Sequence, residues 1–370
     1  MPSKGNIVDA FFALLRAGLW EQSVRLLPFS QIDLEALYKL AEEQSVVGLI
    51  AAGIEHVEDM TLTKQHVMPF MKQIISLEHR NASMNILIAS LVSQLKQAGI
   101  ESVLVKGQGI AQCYARPLWR AAGDIDFFFD EDNYEQAKVL LTSMASSIDP
   151  EEKRKKHQAM VIDSLDVELH GLMPTEVSNR VNLVVSIVQR DIFENDGTRI
   201  WNNNGTPLKL PNPDNDAIII FPHFIQHFFV GGVGLRQICD WCRLLWTYRD
   251  EIDQSLLASR LNDMGLLSEW KAFAYFAVSY LGMPIESMPF YSTSAARSRK
   301  SRRICRIILE SGNFGHKKDQ SYRHKYSKLV EKSITFFRRF GEFASLTMIF
   351  PVDGPRFFFT YVWKRTKAVF

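Results

Sequence analysis

Cysteine is scarce in this chain: four among 370 residues, with no framework spacing. A disulfide-stapled scaffold is thereby excluded, and a reducing compartment is the expected setting. The start, Met1-Pro2-Ser3-Lys4-Gly5-Asn6, carries neither the apolar core nor the small-residue cleavage site of a secretory signal. The cytoplasm is therefore the expected location. Internal repeats and low-complexity tracts are missing, which excludes a repeat array. One run imitates a membrane span: residues 217–235 hold no charged side chain and reach about the minimum length for crossing a bilayer. Within it lie Pro222, His223, Gln226, His227 and Gly231-Gly232, so the run reads as a buried helix closed by a glycine turn.

What is present fits a globular protein. Hydrophobic content of 46% and charged content of 23% are ordinary, and the length allows about two or three domains. The net charge of +2 conceals a partition, because residues 297–370 carry 18 Lys+Arg against 5 Asp+Glu. Such a basic end either meets an anionic partner (nucleic acid, a lipid surface, a phosphorylated substrate) or docks on the acidic remainder of its own chain. Its last stretch, Arg356 to Arg365, interleaves aromatics with cations. That pattern suits an anionic surface or a terminal element packed on the body.

Apolar spacing predicts helices over most of residues 7–99, including 32–40 and a long amphipathic stretch over 68–98 that ends at Gly99. The period then changes. Residues 101–105 read as a strand closing in Lys106-Gly107-Gln108-Gly109, and 110–115 resume a helical pattern. Residues 124–129 are the next strand and 131–145 a helix with acids in its first turn. Strands over 159–162 and 165–169 flank a tight Asp163-Ser164 turn. This order describes an α+β unit around a small mixed sheet. Beyond Pro174 the chain reads as mostly helical, apart from a hairpin over 201–210 that turns at Asn202-Asn203-Asn204-Gly205.

Three acids stand out. Asp124 and Asp126 are two apart in a predicted strand, so both project from one face, roughly 7 Å apart. Glu168 sits in the core of another strand, with Asp166 two residues before it. At an effective dielectric of about 20, carboxylates brought to ~5 Å repel by roughly 3 kcal/mol. A divalent cation turns that cost into attraction, and hard oxygen ligands suit Mg²⁺. Lys106-Gly107-Gln108-Gly109 closes a strand and opens a helix, where glycine permits close backbone approach to a phosphate. An anion cradle facing carboxylates is what metal-assisted phosphoryl transfer requires.

On these residues the chain resembles the polymerase-β-like nucleotidyltransferase superfamily. More narrowly, it is similar to poorly characterised bacterial nucleotidyltransferases. The resemblance is carried by Val105-Lys106-Gly107, by Arg120 ahead of Asp124-Ile125-Asp126, and by Glu168-Leu169-His170. Leu235-Arg236 with Asp240 matches a later helical segment of that family, and the likeness spans roughly residues 100–250.

The resemblance implies a Mg²⁺-dependent transfer of a nucleoside monophosphate from an NTP to a hydroxyl, with release of pyrophosphate. Asp124 and Asp126 are then metal ligands, Glu168 the third carboxylate or general base, and the loop at Gly107 the triphosphate holder. Lys106 and Arg120 either screen triphosphate charge or pair with local carboxylates. His170 orients Glu168, contacts substrate or simply packs. Arg236 and Asp240 form a local ion pair or reach the cleft. The chain departs from the broader superfamily at Gly107-Gln108, where Gly-Ser or Gly-Gly is preferred and glutamine lacks the small phosphate-binding hydroxyl.

That departure motivates a second reading, a nucleotide-binding module without catalysis. A third takes the basic end as a nucleic-acid or anionic-surface binder. The expected organisation is a helical region (1–99), a catalytic core (100–173), a helical domain (174–296) and a basic helical extension (297–370). His223 and His227 have metal-ligand spacing but no third ligand nearby, and packing is the expected role, with His227 able to face the cleft. Cys239 and Cys242 fall mid-helix, without the strand-to-helix junction that activates redox thiols, and are expected in the core.

Overall fold

The long N-terminal helix stops where its sequence says it should. The computed structural model describes residues 4–29, 32–313, 341, 343–352 and 354–358. Helices α1 (Lys4–Trp20), α2 (Leu34–Glu43), α3 (Val47–Glu55) and α4 (Lys64–Gln97) form the first part. Asp33 caps α2 by accepting from the Ala36 amide. At the end of α4, Gly99 adopts φ +75°. Its amide donates to the Lys96 carbonyl at 3.0 Å, while that of Ile100 donates to Leu95 at 2.9 Å. These two bonds are the Schellman closure that glycine at this position allows.

The sheet follows. Its strands are β1 (Val103–Val105), β2 (Ile125–Phe128), β3 (Ser147–Ile148), β4 (His157–Ile162), β5 (Leu165–His170), β6 (Thr198–Asn203) and β7 (Thr206–Pro211). Among the described residues they form one mixed seven-stranded sheet in the order β3-β4-β5-β2-β1-β7-β6. The β4–β5 hairpin turns through Asp163 and Ser164, both at positive φ, and the β6–β7 hairpin through Asn204 and Gly205, likewise. Two consecutive positive φ values are what a type I′ turn demands, and its twist matches that of the strands it joins.

Between the strands lie α5 (Gly107–Ala111) and α6 (Glu131–Thr142), and then α7 (Asn179–Glu194). Helices α8 (Pro213–Val230), α9 (Leu235–Thr247), α10 (Gln254–Met264), α11 (Leu267–Leu281) and α12 (Ala295–Ser311) follow, and residues 343–347 and 354–358 are helical as well. The fold is thus α+β, with helical regions flanking a mixed sheet. Two structural details differ from the sequence expectation. The hairpin at 198–211 lies in the same sheet as the earlier strands, because Lys209 of β7 pairs in parallel with Val103 of β1. The helix after β1 begins at Gly107 and not at Ile110, so the glycine segment is its first turn.

Both faces of β2 are covered, so all four of its residues are buried, Asp126 included. Ile125 and Phe127 join the core formed with α4 and α6, including Leu91, Leu95, Tyr134 and Leu141. The alternate face points the other way, where Phe128 packs with the larger helical core. Asp124 and Asp126 therefore face α8 and α9. The uncharged run at 217–235 is most of α8 and the glycine turn after it, reaching α9 only at Leu235, with Ile218, Phe221, Phe224 and Ile225 buried. No helix among the described residues is long and apolar enough to cross a membrane.

Of the basic end, α12 buries Ile304, Cys305 and Ile308. Phe343, Leu346, Ile349, Phe350 and Phe357 join the same core, so these parts pack on the body. Residues 314–340 and 359–370, including most of the aromatic–cationic stretch, lie outside the described residues.

Candidate active site

Strand register assembles the acids. Asp126 is paired with Val105 on its antiparallel neighbour β1 and with Glu168 on its parallel neighbour β5. Lys106 leaves β1 beside Asp126, and His170 follows Glu168 at period two. Oxygens of Asp124, Asp126 and Glu168 lie within 4.8 Å of one another. The Lys106 ammonium donates to Asp126 Oδ1 at 2.9 Å, and His170 Nε2 lies 2.8 Å from the same oxygen. Glu168 Oε2 lies 3.1 Å from His157 Nε2 and 3.4 Å from His170 Nε2. Asp166, on the same face, stands apart from the trio at the solvent end of the strand, its closest cation being Arg80 at 3.9 Å.

Electrostatics divide the carboxylates. Burial alone would raise Asp126, which is only 3% exposed, but Lys106 and His170 outweigh it and hold the carboxyl far below its usual range. Burial also opposes ionisation of Glu168, and hydrogen bonds from His157 and His170 overcome it, leaving that group lowered. Asp124 goes the opposite way, pushed up to about 6 by the charge of Asp126 first and by burial second. For His170 the penalty of burial is exceeded by bonding to Asp126 and Glu168, so the imidazole is raised. Lys106 likewise is raised by Asp126 and Asp124 against its burial.

The trio forms one wall of a cavity of about 290 Å³. Lys106 and Gly107 stand beside it, while α8 and α9 supply the opposite wall through His223, Phe224, His227 and Arg236. Gly107 has φ +34°, and a Cβ there would meet the Asp124 carbonyl oxygen at 3.4 Å. Lys106 itself adopts φ +55°, a backbone conformation uncommon for a non-glycine residue and worth about 1–3 kcal/mol of strain. Arg120 is committed elsewhere: it grips Asp240 through Nε at 2.7 Å and a terminal nitrogen at 2.8 Å, and Tyr114 donates to the same carboxylate at 2.8 Å. Arg236 donates from one terminal nitrogen to the Ala121 carbonyl at 2.9 Å, and its buried Nε has no hydrogen-bond partner among the described residues. Burial and then the charge of Arg120 lower its pKa. It is a cation held at the wall of a cavity, suited to an anion.

The predicted residues Lys106, Gly107, Asp124, Asp126, Glu168 and Arg236 thus converge on one space, with Arg120 and Asp240 forming a neutralised pair at its edge. His170 borders the trio through Asp126. Gln108 is turned away. Its amide donates to Asn81 Oδ1 of α4 at 2.7 Å, and Asn81 in turn donates to the carbonyls of Leu118 and Arg120 at 2.6 and 2.9 Å. Gln108 therefore helps hold the segment that carries Arg120.

Sequence reasoning undervalued the histidines. His223 and His227 lie in the cavity wall with their Nε2 atoms 3.2 Å apart, and burial depresses both, His227 to about 4. Their i,i+4 spacing carried the signal. His157 gave none, being a single histidine at a strand start. Cys239 and Cys242 are buried thiols raised by that burial, as core residues would be.

Comparison with known proteins gives a family match. The family described as Uncharacterised nucleotidyltransferase aligns over residues 30–282, which include every element of this cavity. No curated protein and no solved structure matches the chain.

Proposed function

The chain belongs to the family of uncharacterised nucleotidyltransferases, and from that premise we propose that it moves a nucleoside monophosphate from an NTP to the hydroxyl of an acceptor, using Mg²⁺. The observation that carries this reading is the cross-strand pairing of Asp126 with Glu168, with Asp124 two residues away and all three carboxylates within 4.8 Å.

The donor set fits a hard divalent ion. All three ligating groups offer carboxylate oxygen, and the repulsion that lifts Asp124 is the cost a cation would cancel. Asp124, Asp126 and Glu168 would hold the ion, which when bound supplies charge neutralisation at the phosphates. Arg236 and Lys106 bind triphosphate oxygens from opposite walls and orient the α-phosphorus. Phe224 and Ile220 offer apolar surface to the nucleoside.

Glu168 also borders a second cavity of about 180 Å³ on the side of His157, which offers the acceptor a place beside it. The acceptor oxygen bonds the α-phosphorus, the bond to the β-phosphate breaks, and pyrophosphate leaves. The hydroxyl proton passes to Glu168 and is handed on to His157, hydrogen-bonded to it. Gln108 gives the binding-only reading no support, since its side chain serves Asn81 and leaves the cavity clear.

The test is direct. The full chain is incubated with Mg²⁺ and each labelled NTP, with candidate acceptors or alone, and mass spectrometry seeks added NMP. Transfer abolished in Asp124→Asn and Asp126→Asn, with the fold retained, is the expected result. Undiminished transfer in either variant removes the assignment.

A further inference from the structure

His157 and His170 are register partners on β4 and β5, and their rings lie 4.8 Å apart. Their Nε2 atoms converge on one oxygen, Glu168 Oε2, at 3.1 and 3.4 Å. Ligands bound at 2.0–2.1 Å around a tetrahedral ion are about 3.3 Å from one another. Two edges of such a figure are therefore already formed, and all three donor atoms fall within 4.8 Å.

The surroundings are those of a metal-binding imidazole. Glu152 Oε1 lies 4.0 Å from His157 Nδ1, close to the place where a carboxylate behind a ligating histidine fixes its tautomer and turns the Nε2 lone pair forward. The three groups line the second cavity, which gives an ion an entry path and leaves room for a water as fourth ligand.

The geometry points to a second cation site, formed by His157, Glu168 and His170 and suited to a borderline-soft divalent ion of the Zn²⁺ class. Its chemistry differs from that of the neighbouring trio. Imidazole nitrogen selects zinc, cobalt or nickel, whereas the oxygen-only set selects magnesium or manganese. The two sites share Glu168. Asp126 keeps Lys106 as its partner when His170 turns to the ion. Zinc loading accordingly withdraws Glu168 from the first site and from proton acceptance. That inhibitory consequence rests on the transferase reading, whereas the site itself does not.

Binding is measured directly on the full, metal-stripped protein, by equilibrium dialysis with Zn²⁺ and by the visible spectrum of Co²⁺ as a probe of four-coordinate nitrogen–oxygen ligation. One Zn²⁺ per chain is expected. Affinity should fall at least tenfold in His157→Ala and in His157→Gln, the second keeping a polar side chain at this partly exposed position. Asp124→Asn, whose altered group is outside the site, should bind zinc as the wild type does. Substoichiometric zinc, wild-type affinity in both His157 variants, or a loss in Asp124→Asn equal to that in His157→Ala would each overturn the proposal. Zinc binding that depends on His157, together with no NMP transfer by the zinc-free protein supplied with Mg²⁺, would instead count against the proposed function alone.

Discussion

Asp240 gives both carboxylate oxygens to Arg120, at 2.7 and 2.8 Å, and so does not neutralise Arg236 one helical turn before it on α9. Arg236 is left as a cation of the cavity wall with no carboxylate partner among the described residues. Replacing it with alanine removes charge-assisted bonds worth about 1.5–3 kcal/mol. NTP-dependent kcat/KM should fall about 10- to 100-fold, with lysine restoring part of the loss. Because the guanidinium is desolvated and, among the described residues, its side chain is paired only with a carbonyl, the same variant should melt no lower than the wild type. Unaltered kinetics in Arg236→Ala would remove it from substrate binding.

The Arg120–Asp240 pair carries the opposite expectation. Both side chains are below 10% exposed, and breaking a buried pair from one side strands a charge at a cost of about 3–5 kcal/mol. Asp240→Asn and Arg120→Ala should each lower the denaturation midpoint strongly. The double variant should lose less than the sum of the two, because neither charge is then left alone. Additive losses in a urea-denaturation cycle would show that the pair is not coupled.

The acids were legible in the sequence because a strand's period of two needs only neighbours. Asp124-Ile125-Asp126 and Glu168 advertise one polar face among apolar residues, and Gly99, Asp163-Ser164 and Asn204-Gly205 declare their turns by backbone chemistry. Pairings between distant segments leave no such local mark. Nothing around Lys209 states that it lies beside Val103, so the sheet's full width was hidden. The same limit hid His157, whose role depends on register with β5, and the orientation of Gln108, decided by Asn81 on a helix that precedes it. His223 and His227 sit on a helix buried on most sides, so periodicity could not say which side met the cavity.

Gln108→Ser tests whether the departure from Gly-Ser matters. The added hydroxyl is expected to leave KM for NTP unchanged, since position 108 is turned into the protein. Asn81 Oδ1 would lose its donor in a site where both residues are nearly inaccessible. A buried acceptor without a partner costs about 1–3 kcal/mol, so thermal unfolding should shift downward. A clearly lower KM with unaltered stability would mean that the Gln108 side chain reaches substrate.

Proton linkage at Asp124 makes the last prediction. Its carboxyl is raised from 3.8 to about 6, so the folded protein holds this proton more tightly than the unfolded chain. Metal-free stability should therefore decline as pH rises from about 4 to 6 and stay reduced above, by an amount on the order of 3 kcal/mol. Asp124→Asn removes the repulsion with Asp126, so the metal-free variant should be more stable than the wild type at pH 7.5, with the difference vanishing near pH 4. A ligating carboxylate must also release its proton. Mg²⁺ affinity should accordingly weaken about tenfold per pH unit below 6 and level off above it. Calorimetric titration across pH 5 to 7.5 decides the point, because an affinity flat over that range would mean that Asp124 does not bind the ion.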